Sequence, residues 1–240
     1  MTDYAYTLEN YIRFFSKAYY LEALLRTIRM SVTVSFLTLV LAYPVAYFFV
    51  KSFPKLKRIG IFLVIMPIMI GLVVRTYGLI VLLEERGLIN TGLIFLGISK
   101  EPIKILDTEL AAVIGLIVTF MPFAILPLIA SLEKIDTSVE EAGRVLGCNS
   151  YKLFLRVTFP LSVPGILAGF LLIFSMLVAT YVTPVLLGGH TMTLMSVLVY
   201  QQMLIAFNWP FGAAIAMILI FFSVVFLIVY MKFVKRAVSF

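Results

Sequence analysis

Between residues 157 and 231 the chain runs for 75 residues without a single Asp, Glu, Lys or Arg. No water-soluble domain of 240 residues can hide so long an uncharged run, and a membrane crossing needs only about 20 apolar residues for about 30 Å of hydrocarbon. Two spans fit, at 161–184 and 211–231. Between them the breaks GGHT and NWP enclose a segment at 194–207 that carries Ser196, Gln201 and Gln202 and is too short to cross comfortably. It reads as a half-inserted or interfacial helix. With 62% hydrophobic and 13% charged residues, the whole chain reads as an all-α polytopic membrane protein.

The first 156 residues supply three further spans, giving five. Residues 30–50 lie between Arg29 and Lys51 and contain Pro44, which should kink the helix. Residues 59–83 are interrupted by Pro67, Gly71 and Arg75, and residues 110–132 carry Pro122 and Pro127. Ahead of the first span, residues 7–20 place Leu8, Tyr11, Ile12, Phe15 and Tyr19 on one helical face and Asn10, Arg13, Ser16 and Lys17 opposite. That pattern is expected of a helix lying on the bilayer, and equally of a soluble helix packed on another subunit; on the first reading residues 1–29 form an interfacial segment and 30–240 the transmembrane domain. The start, MTDYAYTLEN, has neither the basic region nor the apolar run of a signal peptide.

Charge orients these spans. An outside N-terminus and an inside C-terminus put eleven basic residues in the cytoplasm, at 51–58, 133–160 and the tail, against seven outside, with Arg75 left within a span. Letting 194–207 cross would send the basic tail outward. In a soluble protein the net charge of +7 would suggest nucleic acid; here the cations gather at span ends, and no nucleic-acid partner is expected.

The loop at 133–160 is the longest polar interval of the second half. Thr137 with Glu140, and Ser138 with Glu141, each have the spacing of a capping box. Val139, Ala142 and Leu146 then share a face, with Glu140, Glu141 and Arg144 on the others. Gly147 can take the left-handed conformation that ends such a helix, and Asn149 or Ser150 can cap the next. Tyr151, Phe154 and Leu155 give that second helix an apolar stripe, and Pro160 and Pro164 should stop it. The single cysteine, Cys148, lies here and excludes an intrachain disulfide or a cysteine metal cluster.

Glu141-Ala142-Gly143, then Gly147, then Val157-Thr158-Phe159-Pro160 resemble the EAA loop of ABC-importer permeases, with both gaps of the right length. Gly143 stands for the second alanine, Val157 for isoleucine and Phe159 for leucine. The resemblance implies the type I importer core and a cytoplasmic coupling helix that docks in a groove of an ATPase through Glu140, Glu141, Ala142, Gly143, Arg144, Leu146 and Gly147. It also implies a second permease subunit forming a heterodimer, two ATP-binding cassette subunits, an extracytoplasmic substrate-binding protein, and a bacterial or archaeal inner membrane as the setting. ATP and magnesium would belong to the ATPases. This chain has no glycine-rich phosphate loop ending in Gly-Lys-Ser or Gly-Lys-Thr, and no cofactor or metal of its own is expected.

Blocks at 7–15, 75–90, 181–189 and 208–214 further resemble the spermidine/putrescine-type permeases, the first of their two membrane subunits. Such permeases usually have one more helix before the first block, and often an Asp where this chain has Asn208. Candidate path residues are Arg75, Tyr77, Tyr181, Thr183, Asn208 and Trp209. No carboxylate lies within a span, so a polyamine would travel without a nearby anion, at a cost. Opines, amino-acid derivatives, iron and phosphonates stay open as substrates. An ion-coupled secondary transporter would need intramembrane carboxylates and inverted repeats, neither of which is visible. A membrane enzyme would need a catalytic cluster around His190, the only histidine, and none converges there.

Overall fold

The computed structural model describes residues 8–52, 57–145, 147–189 and 192–238, and every regular element among them is helical. The helices are α1 (Glu9–Phe15), α2 (Ala18–Tyr47), α3 (Lys57–Met69), α4 (Leu72–Leu83), α5 (Leu88–Phe95), α6 (Glu109–Glu133) and α7 (Thr137–Val145), then α8 (Ser150–Leu153), α9 (Phe159–Ala179), α10 (Val182–Gly188), α11 (Met195–Tyr200) and α12 (Trp209–Val238). Three wider π turns extend α2 (Phe48–Ser52), join α8 to α9 (Phe154–Thr158) and extend α11 (Gln201–Ile205). Among the described residues four helices are long and apolar enough to cross a membrane, and five if α3 and α4 count as one broken span.

The expected spans are present with shifted ends. The first begins at Ala18 rather than near residue 30, because the helix continues outward through Glu22, Arg26 and Arg29. Only α1 is left as a separate N-terminal helix. Its expected apolar stripe is exposed at Leu8, Ile12 and Phe15, while Phe14 is fully buried. The second span is interrupted at Ile70 and Gly71, after Pro67, whose ring cannot continue the hydrogen-bond ladder. The fourth runs from Ser150 to Ala179 instead of from 161 to 184. It stops because Pro184 has no N–H to offer the Thr180 carbonyl, which accepts the Ser196 hydroxyl at 2.6 Å instead.

The backbone divides into two compact units. One comprises Met1–Thr33, Leu72–Leu116 and Ser175–Phe240. Phe14 stacks on Tyr20, which meets Phe211 edge-on, with ring centroids 5.6 and 5.2 Å apart, and the Arg13 guanidinium lies 4.4 Å from the Phe211 ring. Met195 donates its N–H to Thr27 Oγ1 at 2.9 Å, tying α11 to α2. At eleven residues, the helix Met195–Ile205 is about 16 Å long and cannot cross, as the sequence implied. Leu83, Ile105, Ala111 and Leu187 form a second cluster below the 84–109 interval, where Asn90 is buried. Asn90 donates to the carbonyls of Glu84 and Ile103 at 3.1 and 3.0 Å and accepts from the Ile103 N–H at 2.9 Å.

The other unit comprises Val34–Gly71 and Ile117–Phe174. Small residues let its helices approach closely, the usual solution where lipid offers no hydrophobic drive to association. Ala42, Ala46 and Ala124 are fully buried. On α9, Gly165 faces Ser131 and the Pro127 carbonyl of α6, while Gly169, one turn on, faces Leu39 of α2.

Candidate functional site

The loop that resembles a coupling element folds as a short lever within the second unit. Asp136, one residue before α7, is the cap the capping-box reading overlooked. Its carboxylate accepts the Ser138 N–H at 2.9 Å, so the cap sits one position ahead of Thr137 and two ahead of Ser138. Hydrogen bonds from the Ser138 backbone and side chain hold the Asp136 carboxyl below its ordinary value. An aspartate directly ahead of Thr-Ser-x-Glu was the available signal. At the other end Gly147 has φ +83°, and the Cys148 N–H reaches back to the Gly143 carbonyl at 3.0 Å, the bond of a Schellman closure. Asn149 then caps α8 by accepting the Lys152 N–H at 2.8 Å.

Gly143 is buried on its own chain. A methyl group there would lie 2.7 Å from Leu153 Cδ1, so the missing side chain is what lets α7 rest on α8. The residues left facing outward include Glu141, Ala142 and Val145, the last 88% exposed. The side chains of Glu140 and Arg144, together with Leu146 and His190, lie outside the described residues. A cavity of about 520 Å³ lined by Ser131, Lys134, Asp136, Val139 and Pro164 opens beside the first turn of α7.

Pro160 and Pro164 do not stop the second helix. The π turn at Phe154–Thr158, in which the Phe159 N–H bonds to the Phe154 carbonyl, carries the helix from α8 into α9 ahead of both prolines. The Ser162 hydroxyl caps the Phe159 carbonyl at 2.8 Å, and the Tyr43 hydroxyl meets Ser162 Oγ at 2.9 Å. The stripe also differs from the expected one, since Tyr151 and Leu155 are exposed and Leu153 is buried. The buried position is set by α7, since Leu153 is the side chain on which Gly143 rests. Phe154 packs edge-on against Tyr43 and Tyr47 of α2. The helix that begins at Ser150, after the turn at Gly147, thus runs without a break into an apolar span and touches the end of α2.

The proposed path residues all fall in the first unit, in different surroundings. Thr183 is fully buried, with its hydroxyl 3.5 Å from that of Thr76, the neighbour of half-buried Arg75. Tyr77 is exposed on another face of α4. Asn208 caps α12, its side-chain oxygen accepting the Phe211 N–H at 3.3 Å, which explains its place ahead of Trp-Pro. Tyr181 and Trp209 meet at one cavity of about 370 Å³, joined there by Tyr200, which the sequence reading did not single out. Among the described residues no group of His, Cys, Asp and Glu is placed to hold a metal.

A helical membrane core, a capped short helix followed after one turn by a helix that runs unbroken into a span, and a short re-entrant-length helix define a transport permease rather than an enzyme. The family described as binding-protein-dependent transport system inner membrane component matches residues 24–239, and the chain belongs to it. The chain is 37% identical over 226 residues to the spermidine/putrescine transport system permease protein PotB of Haemophilus influenzae, covering 94% of this chain and 79% of that one. Against PotB of Escherichia coli strain K12 the identity is 36%, covering 95% and 82%. Among solved structures, a chain of the bacterial alginate ABC transporter superposes with TM-score 0.75 at 17% identity, covering 96% of this chain and 83% of that chain. A chain of the inward-facing MetNI methionine ABC transporter gives 0.64 at 19%, covering 91% and 94%. The protein is thus a multi-pass inner-membrane permease that works with the other components of an ABC importer.

Proposed function

We propose that this chain is the first of two membrane subunits of an ATP-driven polyamine importer. The observation that carries the substrate class is its 37% identity, over 94% of its length, to a spermidine/putrescine permease. A second permease completes the bundle, an extracytoplasmic protein delivers the substrate, and two ATPase subunits bind ATP and magnesium. This chain binds no nucleotide. With the N-terminus outside and the basic tail inside, α7 faces the ATPases and presents Glu141 and Ala142, while Gly143 and Gly147 fix its packing and its end. ATP-driven closure of the ATPases favours one arrangement of the membrane helices, and α7 passes that preference to α9 through the unbroken helix from Ser150. Capped ends on both α7 and α8 support a stiff lever, which such transmission requires.

The test is uptake by the four-component assembly in proteoliposomes. ATP-dependent accumulation of labelled putrescine or spermidine, with no accumulation of amino-acid derivatives, opines, iron or phosphonates, is expected. Uptake of one of those solutes in place of the amines overturns the substrate class. A membrane-impermeant thiol reagent should reach Cys148 only from the cytoplasmic side; labelling from the outer side overturns the orientation.

A further inference from the structure

Tyr181, Tyr200 and Trp209 surround the cavity of about 370 Å³ between α11 and α12, a volume within the range of small-ligand sites, about 300–1,000 Å³. Ser196, Val199, Tyr200, Met203 and Leu204 form one wall as a single helical stripe. No charged residue lines the space. The rings of Tyr181 and Tyr200 stack with centroids 5.0 Å apart and planes 17° from parallel, so each covers one face of the other. The three aromatics are 39%, 36% and 54% exposed, in the order Tyr181, Tyr200, Trp209.

The serine hydroxyl and two amides near the rim are already engaged. The Ser196 hydroxyl donates to the Thr180 carbonyl at 2.6 Å. The first amides of α12, which would draw an anion, are turned onto Asn208: Phe211 N–H to its side-chain oxygen and Gly212 N–H to its carbonyl at 3.0 Å. Beside the phenol hydroxyls and the indole N–H, the lining offers a polar ligand the electron-rich faces of its aromatic rings, and such faces attract cations. The same unit already uses this interaction, with Arg13 over Phe211.

We infer that this cavity binds the ammonium group of an organic cation by its aromatic faces and serves as a way station for the transported amine. The inference rests on the polyamine reading and deepens it. It supplies a recognition element in a site where no carboxylate is present. A site without a counter-ion also holds its ligand loosely, and passage demands a ligand bound firmly enough to enter and weakly enough to leave.

The test places tryptophan analogues carrying one, two and three ring fluorines at position 209, the only tryptophan of the chain, by site-specific incorporation into the assembled importer. Fluorination drains the ring face of negative potential with little change of shape. The KM for putrescine uptake should rise stepwise, to about tenfold at three fluorines. Tyr200→Phe should keep the wild-type KM and Tyr200→Leu should raise it. A flat KM across the fluorine series, in an importer that does carry putrescine, overturns the inference and leaves the polyamine reading standing. An importer that carries only neutral or anionic solutes overturns both. Recovery of a lipid acyl chain from the cavity, undisplaced by millimolar putrescine, overturns the inference alone.

Discussion

Replacing Gly147 separates backbone conformation from every other contribution to the lever. Its φ of +83° lies in the left-handed region, and a Cβ there would meet nothing within 4 Å. The cost of a substitution is therefore purely conformational. For an ordinary L-residue it is about 1–2 kcal/mol, less for asparagine, whose side chain bonds locally, and more for a β-branched residue. If the chain escapes by leaving this conformation, the bond from Cys148 to the Gly143 carbonyl goes too, worth about 0.5–1.5 kcal/mol. With nine residues α7 is shorter than the roughly 12–15 at which isolated helices hold, so its end cap matters. A shift of about 1–2 kcal/mol changes the ratio of formed to frayed lever by a factor of about 5–30. The assay is ATP hydrolysis stimulated by the loaded binding protein in nanodiscs, alongside the rate of Cys148 alkylation. Stimulated hydrolysis should fall in the order Gly, Asn, Ala, Val, and alkylation should rise in the same order, with membrane insertion unchanged. Wild-type values for Gly147→Ala and Gly147→Val in both assays, or Gly147→Asn performing no better than Gly147→Val, would refute the reasoning.

Three other outcomes follow from the packing. Gly165→Val pushes against Ser131 and against the Pro127 carbonyl, which as backbone cannot step aside, and should cost about 1–3 kcal/mol, seen as a lower melting temperature in detergent. Gly92→Ala, where nothing lies within 4 Å, is the control and should not lower it. Asn90→Ala removes three part-buried hydrogen bonds, each worth about 0.5–1.5 kcal/mol, so hydrogen exchange and proteolysis across residues 84–105 should accelerate; unchanged protection would show that Asn90 does not hold the interval. Because the Asp136 carboxyl is held below its ordinary value of 3.8, its capping stabilisation is present above that value and lost as pH falls through the lowered one. Amide exchange at Ser138 and Val139 should show that loss in the wild type and not in Asp136→Asn.

The membrane class, the spans and the lever were legible because they depend on local chemistry. An uncharged run of 75 residues has no soluble solution, and Gly147 and Asn149 act within a few bonds of themselves. What the tertiary structure decided is where local rules are overridden by a partner distant in sequence. Pro160 and Pro164 carry every local sign of a stop, yet the helix passes them, entering through a π turn and setting Ser162 against Tyr43 of another helix. Gly143 read as a small residue facing outward and proved to be a contact for Leu153. Tyr200 carried no distinguishing mark in its own stretch, and gains a role only where α11 folds back beside Tyr181 and Trp209. Sequence spacing encodes what a residue does to its own backbone; which rings and hydroxyls come to face one another is set by how the helices pack.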